Sequence, residues 1–431
     1  MKKWARKIAD MVYETPLDEG LNYASPVRGA WNIVHIGTLV PQSHQIFVCP
    51  TSCLRGVVLT TAELGAMDRL STIAVGEDNI LEGDMEERLY LGTKRVLDAL
   101  PERPRMVMVF TSCIHHFMAV NYQRIYKILR KEYPDIDFID AYMDPIMRKK
   151  TPPIPCLFRQ MHRVWQKGEK KAGHASFLAM MFPLTEHCDL YAHLVKNNIT
   201  VHQLPLLKDY DSFKAMANSQ VNFIFHKYSL LAAKDVSLRL DTPYLMMRGT
   251  YDYDEIDADM AQACRALGIL EVSKEQIEEE RRLTEEAVEA VRKQLGDTPV
   301  AIDYTAVDQP LNLALYLLRH GFNVETVFLD TINEDRSVFE ALQKEKGDLE
   351  ISAASNWNMR AMDRHHEGKI VAIGQKAAYF NDTDYFIDIV DQAGLYGYRG
   401  IRELMRLLAE ANAETKNMKE LVSIKGWGCC A

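Results

Sequence analysis

The sequence predicts an α/β protein with three Rossmann-like domains, whose parallel sheets surround a central interdomain cleft. Apolar runs alternate with stretches of helical spacing along much of the 431 residues. The run Met106 to Phe110 is continuously apolar, as expected for a strand that is buried on both faces of a parallel sheet. The length suffices for two to four domains of ordinary size. We place the three domains at residues 1–187, 188–297 and 298–431.

The predicted elements follow the order strand, helix, strand, which implies right-handed crossovers. In the first domain they are the strand Gln45 to Val48, the helix Asp84 to Leu100, the strand Met106 to Phe110, the helix Met118 to Lys131 and the strand Ile136 to Ala141. In the second they are the strands Val221 to Phe225 and Tyr244 to Met247, followed by a charged connector helix, Lys274 to Leu295. In the third they are the strands Val300 to Tyr304, Val324 to Leu329, Leu349 to Ala353 and Ile370 to Ile373, with the helices Leu311 to Arg319 and Val338 to Lys344.

Two further segments are interpreted from local composition. The first residues, MKKWARKIADMVYE, have the pattern of a short amphipathic helix. The segment RKKTPPIPC, residues 148–156, is predicted to be a loop because of its prolines.

Composition limits the function classes. The net charge of −9 argues against general nucleic-acid binding, which needs a basic domain. The first residues lack the apolar core of a signal peptide, and no window holds 18 uninterrupted apolar residues. We therefore expect a cytoplasmic protein with no membrane or nucleic-acid partner. Eight cysteines in a reducing compartment serve metals or catalysis more often than disulfides.

Three cysteines lie where predicted strands end. Cys49 and Cys53 follow the strand that ends at Val48, and Cys113 follows the strand that ends at Phe110. Groups bound by parallel sheets sit beyond the carboxyl ends of strands, so these thiolates could hold a 4Fe–4S or larger iron–sulfur cluster. The alternative is that they are small core residues, which is how we interpret Cys264 and Cys188.

Other polar residues have open interpretations. His115 and His116 follow Cys113 and either bind metal or are simply solvated. The basic segment Arg148 to Lys171, which includes Arg159 and Arg163, fits an anion cradle, a docking face for an acidic partner, or a solvated charge run. The adjacent Cys429 and Cys430 near the end of the chain have no assigned role.

No GxxxxGK[ST] or GxGxxG motif is present, so this chain is not expected to bind ATP in a P-loop. A nucleophile elbow and an HExxH motif are also missing, and a hydrolase reading lacks support.

The order of motifs over residues 20–415 resembles the nitrogenase component 1 family. The segment His44 to Gly56 is similar to the family's cysteine turn, with Cys53 in the ligand position. Residues 75–89, VGEDNILEGDMEERL, resemble a run that leads into a helix in the family. A second ligand, Cys113, lies in a segment that matches the family's next cysteine turn, MVFTSCIHHFMAVNY. IVAIGQKAAYFNDTDYFIDIV and AGLYGYRGIRELMRLL resemble the closing strand, loop and helix of the third domain.

The chain also departs from this family pattern. An earlier cluster cysteine is missing near Tyr23, so either Cys49 or a partner chain would complete the coordination. Tyr396 stands where the nitrogenase α subunit has a cofactor-binding histidine. No cysteine lies near Phe225, where His226 is a candidate replacement ligand. These losses argue against dinitrogen reduction with a standard iron–molybdenum cofactor.

The resemblance implies a subunit of an ATP-dependent, two-component reductase. It would take low-potential electrons from a P-loop ATP-hydrolysing iron–sulfur reductase through a cluster shared with a second component 1 type subunit, identical or paralogous. The electrons would reach a substrate, a second metallocofactor or a tetrapyrrole in the interdomain cavity. Candidate cavity residues are His226, Asn356, Trp357, Gln375 and Tyr396. The alternatives are a cofactor-assembly scaffold of the same family and a metal-free small-molecule binding protein.

Overall fold

The structure is a computed structural model that describes residues 5–14, 17, 23, 25–27, 33–143, 152–332 and 334–421. Strands and helices alternate along most of this range. The strands are β1 (Ala5–Lys7), β2 (Ser43–Cys49), β3 (Leu70–Ala74), β4 (Met106–Ser112), β5 (Asp137–Met143), β6 (Lys171–Phe177), β7 (Thr200–Gln203), β8 (Ser219–Ile224), β9 (Tyr244–Met246), β10 (Val300–Asp303), β11 (Val324–Leu329), β12 (Glu350–Ala353), β13 (Val371–Ile373) and β14 (Phe386–Ile387).

The α-helices lie mostly between consecutive strands, as parallel connections require. They are α1 (Ile33–Leu39), α2 (Thr51–Glu63), α3 (Glu77–Glu82), α4 (Met85–Ala99), α5 (Cys113–Phe117), α6 (Tyr122–Glu132), α7 (Pro153–His162), α8 (Asp189–Lys196), α9 (Tyr210–Ala215), α10 (Leu230–Leu240), α11 (Tyr253–Leu267), α12 (Lys274–Leu295), α13 (Pro310–Arg319), α14 (Arg336–Glu345), α15 (Gln375–Phe380) and α16 (Gly397–Ala413).

The chain divides into two compact units. The cysteine unit comprises residues 31–183 and 199–246, and the C-terminal unit comprises residues 1–30, 184–198 and 247–431. The domain boundaries that the sequence predicts, at residues 187 and 297, stay a prediction.

The cysteine unit contains two four-stranded parallel sheets, with the orders β3-β2-β4-β5 and β7-β6-β8-β9. Side chains of β2 and β4 alternate between two apolar cores, as the period of a strand requires. Ile46 and Val107 lie in one core, while Phe47 and Met108 lie in the other. Both faces of the first sheet are therefore covered by apolar cores.

The C-terminal unit is built on a six-stranded sheet with the order β1-β12-β11-β10-β13-β14. Its strands are parallel except for β1, which pairs antiparallel with β12. The core contains fully buried residues on both faces, such as Val327 and Phe328 on β11. The long helix α12 has the bounds that the sequence predicts, with Ser273 and Gln276 forming a capping box at its start.

Two local predictions are wrong. The described part of the first segment, residues 5–14, forms no α-helix: Ala5–Lys7 is an edge strand, followed by a short 3-10 helix at Ile8–Asp10. The predicted loop at residues 148–156 ends too late, because α7 begins at Pro153. Proline is tolerated in the first turn of a helix, where its missing N–H has no intrahelical acceptor anyway. Residues 148–151 of this segment, and Cys429 and Cys430, lie outside the described residues.

Candidate functional site

Three cysteines meet at the carboxyl edge of the first sheet. Cys49 is the last residue of β2, and Cys53 lies in the first turn of the helix that follows. Cys113 is the first residue of α5, directly after β4. The parallel register pairs Val48 with Thr111, so the two strands end side by side. The structure thus brings together the three metal-ligand candidates that the sequence predicts.

The three thiols differ in burial and act on one another electrostatically. Cys53 is exposed and Cys113 is half-buried, whereas Cys49 is fully buried beside the core of Phe47. Burial raises the pKa of the Cys49 thiol to about 12, and negative charge on Cys53 and Cys113 adds to the shift. Cys49 is therefore a neutral thiol at pH 7 until a cation lies nearby, while the other two are open to a metal from outside.

This donor set fits a thiophilic metal group. Thiolate sulfur is the donor that iron–sulfur clusters use, and the described cysteines form no disulfide that would remove it. Among the described residues, two accessible thiols with a third behind them offer three sulfur ligands at this edge. Cys156, Cys188 and Cys264 are each buried.

The histidine pair after Cys113 divides into a buried and an exposed residue. His116 is exposed, and His115 is buried on α5. The Nδ1 atom of His115 lies 3.4 Å from Ser112 Oγ. Its buried Nε2 atom has no hydrogen-bond partner among the described residues. Burial lowers the pKa of His115 to about 4, so the ring is neutral at pH 7.

The remaining candidates in the cysteine unit lie on α7 and after β8. Arg163 pairs with Asp235 at 3.7 Å. Arg159 has a buried Nε atom for which the described residues provide no acceptor. A guanidinium in this state can bind an anion, which is one of the three interpretations that the sequence leaves open for the basic segment. His226 follows β8, is buried, and stacks on Tyr228 with ring centroids 4.6 Å apart.

Tyr396 lies in a polar network of the C-terminal unit. It is buried at the start of α16, and its hydroxyl donates a hydrogen bond to Asp308 Oδ2 at 2.8 Å. Residues 391–394, just before it, all have positive φ values, which form a short left-handed turn. The buried Gln392 holds this turn: its amide donates to Tyr251 Oη and to the Leu395 carbonyl. Sequence reasoning did not identify Asp308 or Gln392.

Asn356 and Gln375 do not lie together. Asn356 follows β12 and accepts a hydrogen bond from Asn358 N, whereas Gln375 follows β13 and donates to Asp388 Oδ1. The strands β11 and β10 lie between β12 and β13, so at about 4.8 Å per strand spacing the two positions are roughly 14 Å apart. Trp357, beside Asn356, is exposed.

A buried charge cluster at the same sheet was missed by sequence reasoning. Asp303 ends β10 and accepts hydrogen bonds from Thr305 and from the backbone N of Ala377. Burial raises the pKa of Asp303, and burial lowers the pKa of the neighbouring Lys376. Gly374 has φ +106, and a Cβ atom there would lie 2.2 Å from Asp303 Oδ2. The glycine before Gln375 was the available signal for this close approach.

Comparison with known proteins identifies the family. A family model described as Nitrogenase component 1 type Oxidoreductase matches residues 35–412. The chain belongs to this family. Its members are oxidoreductase components that bind iron–sulfur clusters and work with a separate reductase component.

Solved nitrogenase structures have the same fold. Nitrogenase Cp1 at pH 6.5 has a TM-score of 0.66 and 14% identity, over 94% of this chain and 95% of that one. Nitrogenase Cp1 at pH 5 has a TM-score of 0.56 and 12% identity, over 94% and 91%. At this identity the likeness establishes the fold, and it confirms the predicted α/β class with parallel sheets. No curated protein matches the chain. Among the described residues, no helix of this component 1 type protein combines the length and apolar character needed to cross a bilayer.

Proposed function

We propose that this chain is a subunit of a nitrogenase-like, ATP-dependent two-component reductase. The observation that carries the proposal is the meeting of Cys49, Cys53 and Cys113 at one sheet edge. In this proposal they hold a 4Fe–4S or larger cluster, completed by a second component 1 type subunit. When bound, the cluster supplies one-electron transfer at low potential.

The thiols have distinct tasks in this proposal. Cys53 is in the first turn of the 13-residue helix α2 and is exposed. Cys113 and Cys53 are the first sulfurs that iron reaches, because both have solvent access. Cys49 loses its proton only when positive charge arrives, since burial disfavours its thiolate.

The electron donor is a different protein. A chain without a P-loop motif depends on a P-loop ATP-hydrolysing iron–sulfur reductase for low-potential electrons. We propose His226 and Tyr396 as the polar groups that act on the substrate or second cofactor, which could be a tetrapyrrole. Asp308 holds the Tyr396 hydroxyl in place. Arg159 and Arg163 are proposed to bind an anionic group, and Asn356 and Gln375 to contribute amide hydrogen bonds.

The test is anaerobic purification with iron and sulfide analysis and electron paramagnetic resonance of the reduced protein. Cys53→Ala and Cys113→Ala should each lose the cluster absorbance and most of the iron. Cys264→Ala is the matched control, because it removes a buried thiol from α11, which belongs to the C-terminal unit. Unchanged iron content in both Cys53→Ala and Cys113→Ala would refute the ligand assignment.

Turnover distinguishes a catalyst from an assembly scaffold. A catalytic subunit oxidises the reduced partner reductase in the presence of ATP and its substrate, repeatedly. A scaffold of the same family releases its metal group to an acceptor protein and sustains no turnover.

A further inference from the structure

Two histidines of the cysteine unit, remote in sequence from Cys49 and Cys113, face each other on neighbouring strands. The parallel register pairs His174 with Thr200 and Ser176 with His202, so the two imidazoles project from the same face of β6 and β7. The Nδ1 atom of His174 lies 3.0 Å from the Nε2 atom of His202. The ring centroids are 5.3 Å apart, with an interplanar angle of 22°.

We propose that His174 and His202 form a binding site for a borderline divalent transition-metal ion such as Ni²⁺, Cu²⁺ or Zn²⁺. Imidazole nitrogens bind such ions at about 2.0–2.1 Å. Two nitrogens at that distance are about 2.9 Å apart at a right angle and about 3.3 Å apart at the tetrahedral angle. The observed 3.0 Å lies within this interval, so the separation of the two nitrogens matches that of two ligands on one ion.

The surroundings of His202 favour the neutral form of its ring, which is the form that ligates metals. Burial lowers the pKa of His202, and positive charge on His174 or Lys171 lowers it further. Both rings are half-buried on strands, which limits their rotation before an ion arrives. His202 lies on β7, the edge strand of its sheet, so water or an external ligand can complete the coordination.

The donor set determines the class of ion. Among the described residues, no third histidine, cysteine or carboxylate ligand atom joins this pair. Two nitrogen donors suit Ni²⁺, Cu²⁺ and Zn²⁺, whereas Mg²⁺ and Ca²⁺ require oxygen ligands. The site is therefore chemically distinct from the cysteine edge, which suits iron and sulfide. The competing explanation is a hydrogen bond between two neutral rings that binds no metal.

Calorimetric titration with Ni²⁺ tests the proposal on the wild type, His174→Gln, His202→Gln and the control His365→Gln. His365 is exposed in the C-terminal unit, so its replacement removes an imidazole from a site outside the pair. Wild type and His365→Gln should bind one Ni²⁺ at least about tenfold more tightly than either pair variant. Each pair variant keeps only one of the two imidazoles and so cannot chelate the ion. Equal affinity in all four proteins overturns the proposal.

A second measurement separates this site from thiol sites and from misfolding. One equivalent of Cu²⁺ should show hyperfine coupling to two nitrogens in the wild type and in His365→Gln, and to fewer in the pair variants. Ni²⁺ should raise the melting temperature of the wild type and of His365→Gln, but not of the pair variants. Sulfur ligation of Cu²⁺ without nitrogen coupling in the wild type overturns the proposal as well.

Discussion

At the scale of single residues, Asp189 couples folding to pH. Asp189 is the first residue of α8, and its carboxylate accepts hydrogen bonds from the backbone N atoms of Tyr398 and Arg399. Burial raises the pKa of Asp189 from 3.8 to about 6, so the folded protein keeps a proton that the unfolded chain releases. Its contribution to stability is complete below about pH 4 and is lost as the pH rises through 6.

We predict that Asp189→Asn removes this dependence of the free energy of unfolding on pH. Between pH 4 and pH 7, the free energy of unfolding of the wild type should fall relative to the variant by up to about 3 kcal/mol. Urea unfolding of both proteins across this range measures the difference. Asp254→Asn, at a carboxylate that is 89% exposed, is the control and should show no such change. Parallel stability curves for Asp189→Asn and wild type would contradict the prediction.

The sequence identifies residues whose chemistry is tied to a strand end, and misses those defined by distant contacts. Cys53 and Cys113 could be predicted because each follows an apolar run, and parallel strands end at one edge. Asp308 lies 88 residues from Tyr396 in the sequence, and no local sequence pattern predicts their hydrogen bond. The same holds for His174 and His202, which are joined only by the register of two strands.

At the scale of elements, the N-terminal strand shows how tertiary pairing overrides local spacing. The first residues have helical periodicity, yet β1 adds to the edge of β12 and places Ile8 in the core of the C-terminal unit. A strand that completes a sheet edge gains backbone hydrogen bonds that an isolated helix of this length cannot match. Local pattern could not reveal this, because the partner lies more than 340 residues away.

We therefore predict that Ile8→Ala destabilises the protein by about 3 kcal/mol, the usual cost of emptying a buried aliphatic site. Ile8 is fully buried, while Val12, four residues on, is 61% exposed. Val12→Ala should change stability by less than about 0.5 kcal/mol. Urea unfolding midpoints compare the two variants, and equal midpoints would show that the N-terminal strand is not docked.

The left-handed turn at residues 391–394 is a second element that depends on distant contacts. Non-glycine residues in this conformation cost about 1–2 kcal/mol each, and Gln392 opposes that cost with hydrogen bonds to Tyr251, Leu395 and Asp308. We predict that Gln392→Ala destabilises the protein by about 3 kcal/mol, because it orphans buried backbone groups. Thermal unfolding measures the loss, and a change below about 0.5 kcal/mol would contradict this role.

At the neighbouring Ala393, we expect a substitution that stabilises the protein. Its φ is +48, a value that glycine adopts without the steric cost that alanine incurs. We predict that Ala393→Gly stabilises the protein by about 0.5 kcal/mol, the steric relief being partly offset by backbone entropy. Melting temperatures of this variant and of Ala409→Gly, inside the helix α16, should shift in opposite directions.

At the scale of the whole molecule, the number of thiols limits how a cluster is completed. The described part of the chain brings three sulfurs to the sheet edge, whereas the four iron atoms of a 4Fe–4S cluster are held by four ligands. If the proposed function is right, the remaining ligands come from a second subunit, and iron retention depends on assembly. We predict that anaerobic native mass spectrometry finds the cluster mass on the oligomer and metal-free chains among the monomers. Dilution should release iron and monomers together, because Cys53 is exposed once a subunit departs. A monomer that retains a complete cluster would show that this chain supplies every ligand itself.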